Sequence, residues 1–181
     1  MDLTEVFGET TTPPEATGLF KDSSGNLWIS SIGHGLIAIE PSSGSIKHRL
    51  FATSYGDSAE VSVYTVTETA PGIILIGTSR GPYEYHLSEE KLTALGQPFF
   101  SGGSPTVTSL ALGKNKTVWL GTLYGPVSGT PRLFGSISTL TTDLPSDAIN
   151  TIEETQSGLW LGTENGLALI DRKNEVLQNY N

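Results

Sequence analysis

One phrase occurs four times in this chain of 181 residues. Residues 157–166 read SGLWLGTENG and residues 117–125 read TVWLGTLYG. Residues 73–81 read IILIGTSRG, and residues 26–35 read NLWISSIGHG. Taking Trp28, Leu75, Trp119 and Trp160 as equivalent gives spacings of 47, 44 and 41 residues, a drifting period that marks an array of similar units. Such a unit buries its apolar side only against its neighbours, which restricts the chain to stacked or ring-like architectures.

Inside each unit the hydrophobic period is two. In the last unit AINTIEET alternates, QSG turns, LWLGT runs apolar, ENG turns, LALID alternates again, RKN turns, and EVLQNY supplies a fourth strand. The first unit runs the same way through ATGLF, LWIS, LIAIE and SIKHRLF. Four short antiparallel strands repeated about four times predict an all-β β-propeller of four-stranded blades, with blades near residues 14–54, 60–101, 105–141 and 147–181. Composition agrees: 21 Gly and 10 Pro against 16% charged residues suit many turns. The large residue at one fixed point of each unit is expected to fill the space between blades. The following Gly-Thr pairs, 77–78, 121–122 and 162–163, read as architecture.

Several functions are disfavoured at once. A net charge of −9 with ten basic residues offers no cationic stripe for nucleic acid or for an anionic membrane surface. The absence of Cys excludes disulfides, thiolate metal sites and a Cys nucleophile. No apolar run approaches the roughly 20 residues of a transmembrane helix, and the start MDLTEVFGETTTPP shows neither part of a signal peptide. GTSRG at 77–81 matches the G-x-S-x-G nucleophile elbow, but Pro82 and a further strand follow where that motif needs a helix, so it reads as a repeat turn. His34, His48 and His86 lack metal-ligand spacing, and no calcium loop occurs, so neither a metal nor a cofactor is expected.

The residues LPSDAINTIEETQSGLWLGTENGLALID resemble the two-component regulator propeller repeat, and FKDSSGNLWISSIGHGLIAIE matches it with Asp22, Gly25, Asn26 and Trp28 in place. The second copy is the weakest, with Leu75 for the Trp and Pro82 after its Gly81; the first carries Ser30-Ser31 instead of Gly-Thr. The resemblance implies a sensor domain on the extracytoplasmic, periplasmic side of a bacterial hybrid two-component system, recognising a glycan, a related small molecule or a partner domain. Such propellers have about seven blades. Four copies therefore imply a fragment of a longer sensor, a four-bladed ring, or a half-ring that pairs with a second chain. LTEVF before the first unit and VLQNY after the last both look like outermost strands, so self-association through open blade edges is expected.

Function on a propeller gathers on loops held by the rigid strands. The second-to-third turns carry His34, Arg80, Tyr124 and the pair Glu164 and Asn165, different residues at equivalent places. The blade-linking loops GETTTPPE, SYGDSAE, SGGSPT and TTDLPSDA face the same way, and Tyr55 and Tyr124 are candidate platforms for a sugar ring. A non-catalytic binding module is the first reading. The alternatives are a lyase resembling the streptogramin lyase propellers, which requires a clustered His and acidic set, and a purely structural interaction scaffold.

Overall fold

The computed structural model describes residues 15–51, 61–95, 106–130, 133–136, 144–171 and 176–180. The alternating pattern becomes four antiparallel sheets of four strands each. The first sheet holds β1 (Glu15–Lys21), β2 (Leu27–Ile32), β3 (Gly35–Ile39) and β4 (Ile46–Leu50). The second holds β5 (Val63–Ala70), β6 (Ile73–Thr78), β7 (Gly81–His86) and β8 (Lys91–Ala94). The third holds β9 (Val107–Leu112), β10 (Val118–Thr122), β11 (Gly125–Thr130) and β12 (Leu133–Ser136). The fourth holds β13 (Ile149–Glu154), β14 (Leu159–Thr163), β15 (Gly166–Ile170) and β16 (Val176–Tyr180). Each sheet is an up-and-down meander, and the first strands pack on one another in the order β1, β5, β9, β13. This is a propeller-like array of about four blades. No packing of that extent joins the fourth sheet to the first among the described residues.

The large residues at the repeat position do fill the blade interfaces. Trp28 lies fully buried between the first two sheets with Leu36, Val63, Ile74, Ile76 and Tyr85. Leu75 does the same between the second and third with Val107, Val118 and Leu120, and Trp119 packs on the cluster of the fourth sheet. Trp160 differs: it stacks on Tyr180 of its own sheet, ring centroids 5.7 Å apart, and nearby Leu167 and Tyr180 are 46% and 42% exposed. The indole N–H of a buried Trp needs an acceptor. Trp28 Nε1 donates to Asp22 at 2.9 Å, and the same carboxylate accepts the Asn26 backbone and side-chain N–H groups. That explains why Asp, Asn and Trp travel together in the motif. Burial pushes the Asp22 carboxyl up, but the bonds from Asn26, Trp28 and the Ser24 backbone together hold it below its usual value.

The Gly-Thr pairs have two separate jobs. Gly77 pairs with Thr65, Gly121 with Ser109 and Gly162 with Thr151 on the neighbouring first strand. A Cβ on Gly77 would stand 2.5 Å from Thr65 Cγ2 and 2.8 Å from Val107 of the next sheet; one on Gly121 would stand 2.2 Å from Ser109 Oγ and 2.9 Å from Ile149. In the first sheet the pair is exchanged: Ser30 sits on β2 and the glycine, Gly18, faces it on β1. Each facing pair thus sets a glycine against a small hydroxyl residue. Each first strand bulges at this level, leaving Thr17, Tyr64, Thr108 and Asn150 as the extra residues. Thr17 donates to the Val63 carbonyl at 2.6 Å and Thr108 to that of Ile149, lacing β1 to β5 and β9 to β13.

The threonine clamps the turn. Thr78 Oγ1 donates to the Gly81 carbonyl at 2.7 Å and accepts the Arg80 N–H at 3.0 Å. Thr122 with Gly125 and Tyr124, and Thr163 with Gly166 and Asn165, repeat the arrangement. Gly81, Gly125 and Gly166 close these turns at φ of 100°, 106° and 137°, which a side chain would strain. In the first sheet Ser31 does not bridge its turn; Gly33 N–H instead reaches Ser62 Oγ at 3.0 Å and Gly35 N–H the Val61 carbonyl at 3.2 Å, both leading into the second sheet.

Two outcomes follow. Gly77→Ala is expected to destabilise by about 1–3 kcal/mol through overpacking, and Gly18→Ala by less, because only the Ser30 hydroxyl, 3.2 Å away, has to give; urea midpoints measure both. For Asp22 the folded pKa is lowered, so in acid the unfolded chain binds more protons. Its contribution is complete above the unfolded Asp value of about 3.9 and is lost as pH falls through the lower folded value. Asp22→Asn should flatten that part of the stability profile between pH 5 and 2 (about the range of ordinary carboxylates), measured by denaturant unfolding across the range.

Candidate functional site

In a meander of this kind the second-to-third turns and the links to the next sheet lie at one end of the array. Four of these turns hold the predicted residues. His34 is the second residue of the β2–β3 turn, Arg80 of β6–β7, Tyr124 of β10–β11 and Asn165, after Glu164, of β14–β15. They are structurally equivalent, one position per blade. Tyr124 is 77% exposed, Arg80, Glu164 and Asn165 are exposed, and His34 is half-buried. Asn165 Nδ2 donates to the Pro145 carbonyl at 3.4 Å, and Glu164 N–H to Ala148 at 3.2 Å, which fixes the last turn against the approach to β13. Ser79 N–H and the Ser62 carbonyl do the same in the second sheet at 2.9 Å. Tyr55 lies outside the described residues, as do most of the blade-linking loops.

Ser79, in the G-x-S-x-G stretch, accepts the Ser62 N–H at 3.2 Å, and β7 follows it instead of a helix. The histidines are dispersed. His48 stacks on Trp28 with rings 5.7 Å apart and 2° from parallel, and meets the Tyr85 hydroxyl at 3.1 Å across the first blade interface. Burial first, and the charge of Glu90 second, push the Tyr85 phenol up, so its hydroxyl stays protonated. His86 pairs with Glu84 at 2.8 Å. Among the described residues no group of three or more His, Asp or Glu side chains gathers, as a lyase-type centre would require.

The opposite end, where first strands turn into second strands, carries features that single-position reading missed. A cavity of about 690 Å³ opens between the second and third sheets, with Glu84, His86 and Lys116 among its walls. A smaller one of about 290 Å³ lies between the third and fourth sheets beside Trp119, Glu154 and Asp171. A third, about 120 Å³, lies away from that end, at the level of the bulges between the first two sheets, by Trp28 and Tyr64. None of the three is lined by His34, Arg80, Tyr124, Glu164 or Asn165. The one sequence signal for the largest was the irregularity of the second repeat.

No protein-family model and no curated protein matches the sequence. Solved structures do match in fold. The extracellular domain of the putative hybrid two-component system BT4673 from B. thetaiotaomicron is 25% identical, with a TM-score of 0.70 over 92% of this chain and 21% of that one. The extracellular domain of the putative hybrid two-component system BT3049 from the same organism is 21% identical, with a TM-score of 0.69 over 92% of this chain and 22% of that one. The computationally designed Ika4 protein, 12% identical with a TM-score of 0.58, is matched over 96% of this chain and 92% of its own. The chain thus spans about a fifth of the length of the two bacterial domains, and their propeller-like blades are its fold, as the resemblance of the repeats implies.

Proposed function

We propose that this chain is a non-catalytic recognition module from the extracytoplasmic sensor portion of a bacterial two-component-type signalling protein, and that it binds a ligand or partner domain on the end carrying the second-to-third turns. The observation that carries this reading is the contrast between a repeated clamp and an unrepeated tip. Three turns share the same Thr–Gly hydrogen bonds, yet the residue each presents is Arg80, Tyr124 or Asn165, and the first turn presents His34. A uniform scaffold holding a cation, an aromatic ring and an amide at matched positions suits a ligand with several different groups, such as a glycan. The likeness to the extracellular domains of BT4673 and BT3049 supports the sensor role and the extracytoplasmic address.

Self-association belongs to the same proposal. The fourth sheet presents Trp160, half-buried, with exposed Leu167 and Tyr180, where the corresponding face of the first sheet is buried by the second. A second copy covering that face would bury the apolar surface.

Titration against a panel of oligosaccharides, followed by amide chemical shifts, tests the turn end. The expected result is shifts confined to the four turns, with Tyr124→Ala weakening binding about tenfold, the loss of one stacking contact of roughly 1–2 kcal/mol. A ligand whose shifts avoid all four turns overturns this site. Light scattering over a concentration series is expected to give a dimer that Trp160→Ala and Leu167→Ser disrupt, whereas a monomer at every concentration overturns self-association.

A further inference from the structure

The irregular second repeat and the largest of the three cavities described above coincide, and the cause lies in a device used at the other two interfaces. The third residue beyond the bulge pair on β5 is Glu68, and on β13 it is Glu154. Each reaches back to the preceding sheet's first-to-second turn. Glu68 accepts the Ser23 N–H at 2.7 Å and its hydroxyl at 2.9 Å; Glu154 accepts the Trp119 indole N–H at 2.7 Å and the Lys114 N–H at 3.3 Å. On β9 the equivalent residue is Leu112, which is 48% exposed and buckles nothing. The turn it would reach is cut to Pro71-Gly72, where the first and third sheets use Asp22–Asn26 and Gly113–Thr117. The filler is Leu75 in place of Trp. Its cross-strand neighbour on the third strand is Glu84, where Trp28 and Trp119 face the small Ala38 and Ser128. Four departures from the repeat therefore meet at one interface and open it.

What they open is chemically divided. The floor is apolar, from Ala70, Ile73, Leu112 and Val118. One wall holds Glu84, a carboxylate whose side chain is only 13% exposed; Oε1 accepts from His86 Nε2 at 2.8 Å, and Oε2 has no partner among the described residues. Lys116 also lines the cavity and forms no ion pair among the described residues. No Phe, Tyr or Trp lines it, and its one imidazole, His86, is held by Glu84, so a stacked sugar is not what it suits. Its volume of about 690 Å³ lies within the roughly 300–1,000 Å³ of small-molecule sites.

We propose that this cavity binds a small zwitterion with an apolar body, of the amino-acid or dipeptide class. The ligand ammonium sits on Glu84, its carboxylate on Lys116 and its side chain on the floor. Both protein charges are then paired, which a neutral or singly charged ligand cannot achieve. The site is at the opposite end from the turns of the proposed sensor face, so either stands if the other fails.

Calorimetric titration of the whole chain with L-leucine, L-alanyl-L-leucine, L-leucinamide, N-acetyl-L-leucine and maltose tests it. The expected result is binding by at least one of the first two. Blocking either end of the ligand, or introducing Glu84→Gln or Lys116→Met, weakens that binding about tenfold or more, while Lys21→Met, on the exposed edge of the first sheet, leaves it unchanged. Lys116 is exposed, so Lys116→Met retains the fold and keeps the test readable should Glu84→Gln not. The proposal is overturned if neither zwitterion binds at millimolar concentration, if the blocked ligands bind equally well, if Lys116→Met binds as the parent does, or if maltose competes for the site.

Discussion

Everything else in this array depends on how closely one sheet's second strand can approach the next sheet's first strand. A bulged first strand brings Val107 to Gly77 and Ile149 to Gly121 at distances that leave no room for a Cβ. With that approach made, the hydroxyls of Thr17 and Thr108 reach the neighbouring carbonyls, and the fillers Trp28, Leu75 and Trp119 meet apolar partners further out. Removing water from these interfaces is the main favourable term, and it requires the backbones to come together first. Glycine supplies the space; the apolar fillers supply the free energy.

The architecture was legible because a repeat presents the same local evidence four times. Period-two alternation, turn residues and a large apolar residue agree within each unit, and such agreement between levels is what specifies a fold. The exchange in the first repeat was not legible. Ser30 in place of glycine looks like a loss until Gly18, twelve positions away in sequence, is seen to face it across the strand pair. Register decides that partnership, and register depends on the bulge at Thr17, which local composition does not encode. The motif Asp22, Asn26 and Trp28 was visible as a spelling, while its reason, one carboxylate satisfying a buried indole and an amide, lies in the folded arrangement of the turn.

The candidate sites divide in the same way. The turn residues could be named as candidates because the same repeat position can be read in every copy, and the clamps of Thr78, Thr122 and Thr163 hold Arg80, Tyr124 and Asn165 on equivalent turns. The cavity could not be found so. Leu75, Glu84 and Leu112 come from three strands of two blades, and each alone is an unremarkable deviation. What gives them meaning is that the repeat states what ought to stand there: a Trp, a small residue and a glutamate that fastens the interface.

A repeat array can afford such a deviation because its stability is a sum of neighbouring interfaces. Glu68 and Glu154 fasten the first and third interfaces, so the second can give up its buckle and its Trp without loosening the other two. The inner part of that interface is still closed, with Leu75, Val107, Val118 and Leu120 buried together. The opening is confined to the end where Leu112 and Pro71-Gly72 lie. An interface that is tight within and open at one end is under a different constraint from its neighbours, and packing alone does not account for placing a largely shielded carboxylate beside it. Glu84 incurs a desolvation cost that Ala38 and Ser128 avoid at the equivalent positions, and His86 offsets it on one oxygen only. The other oxygen is the part of the structure that a ligand would complete.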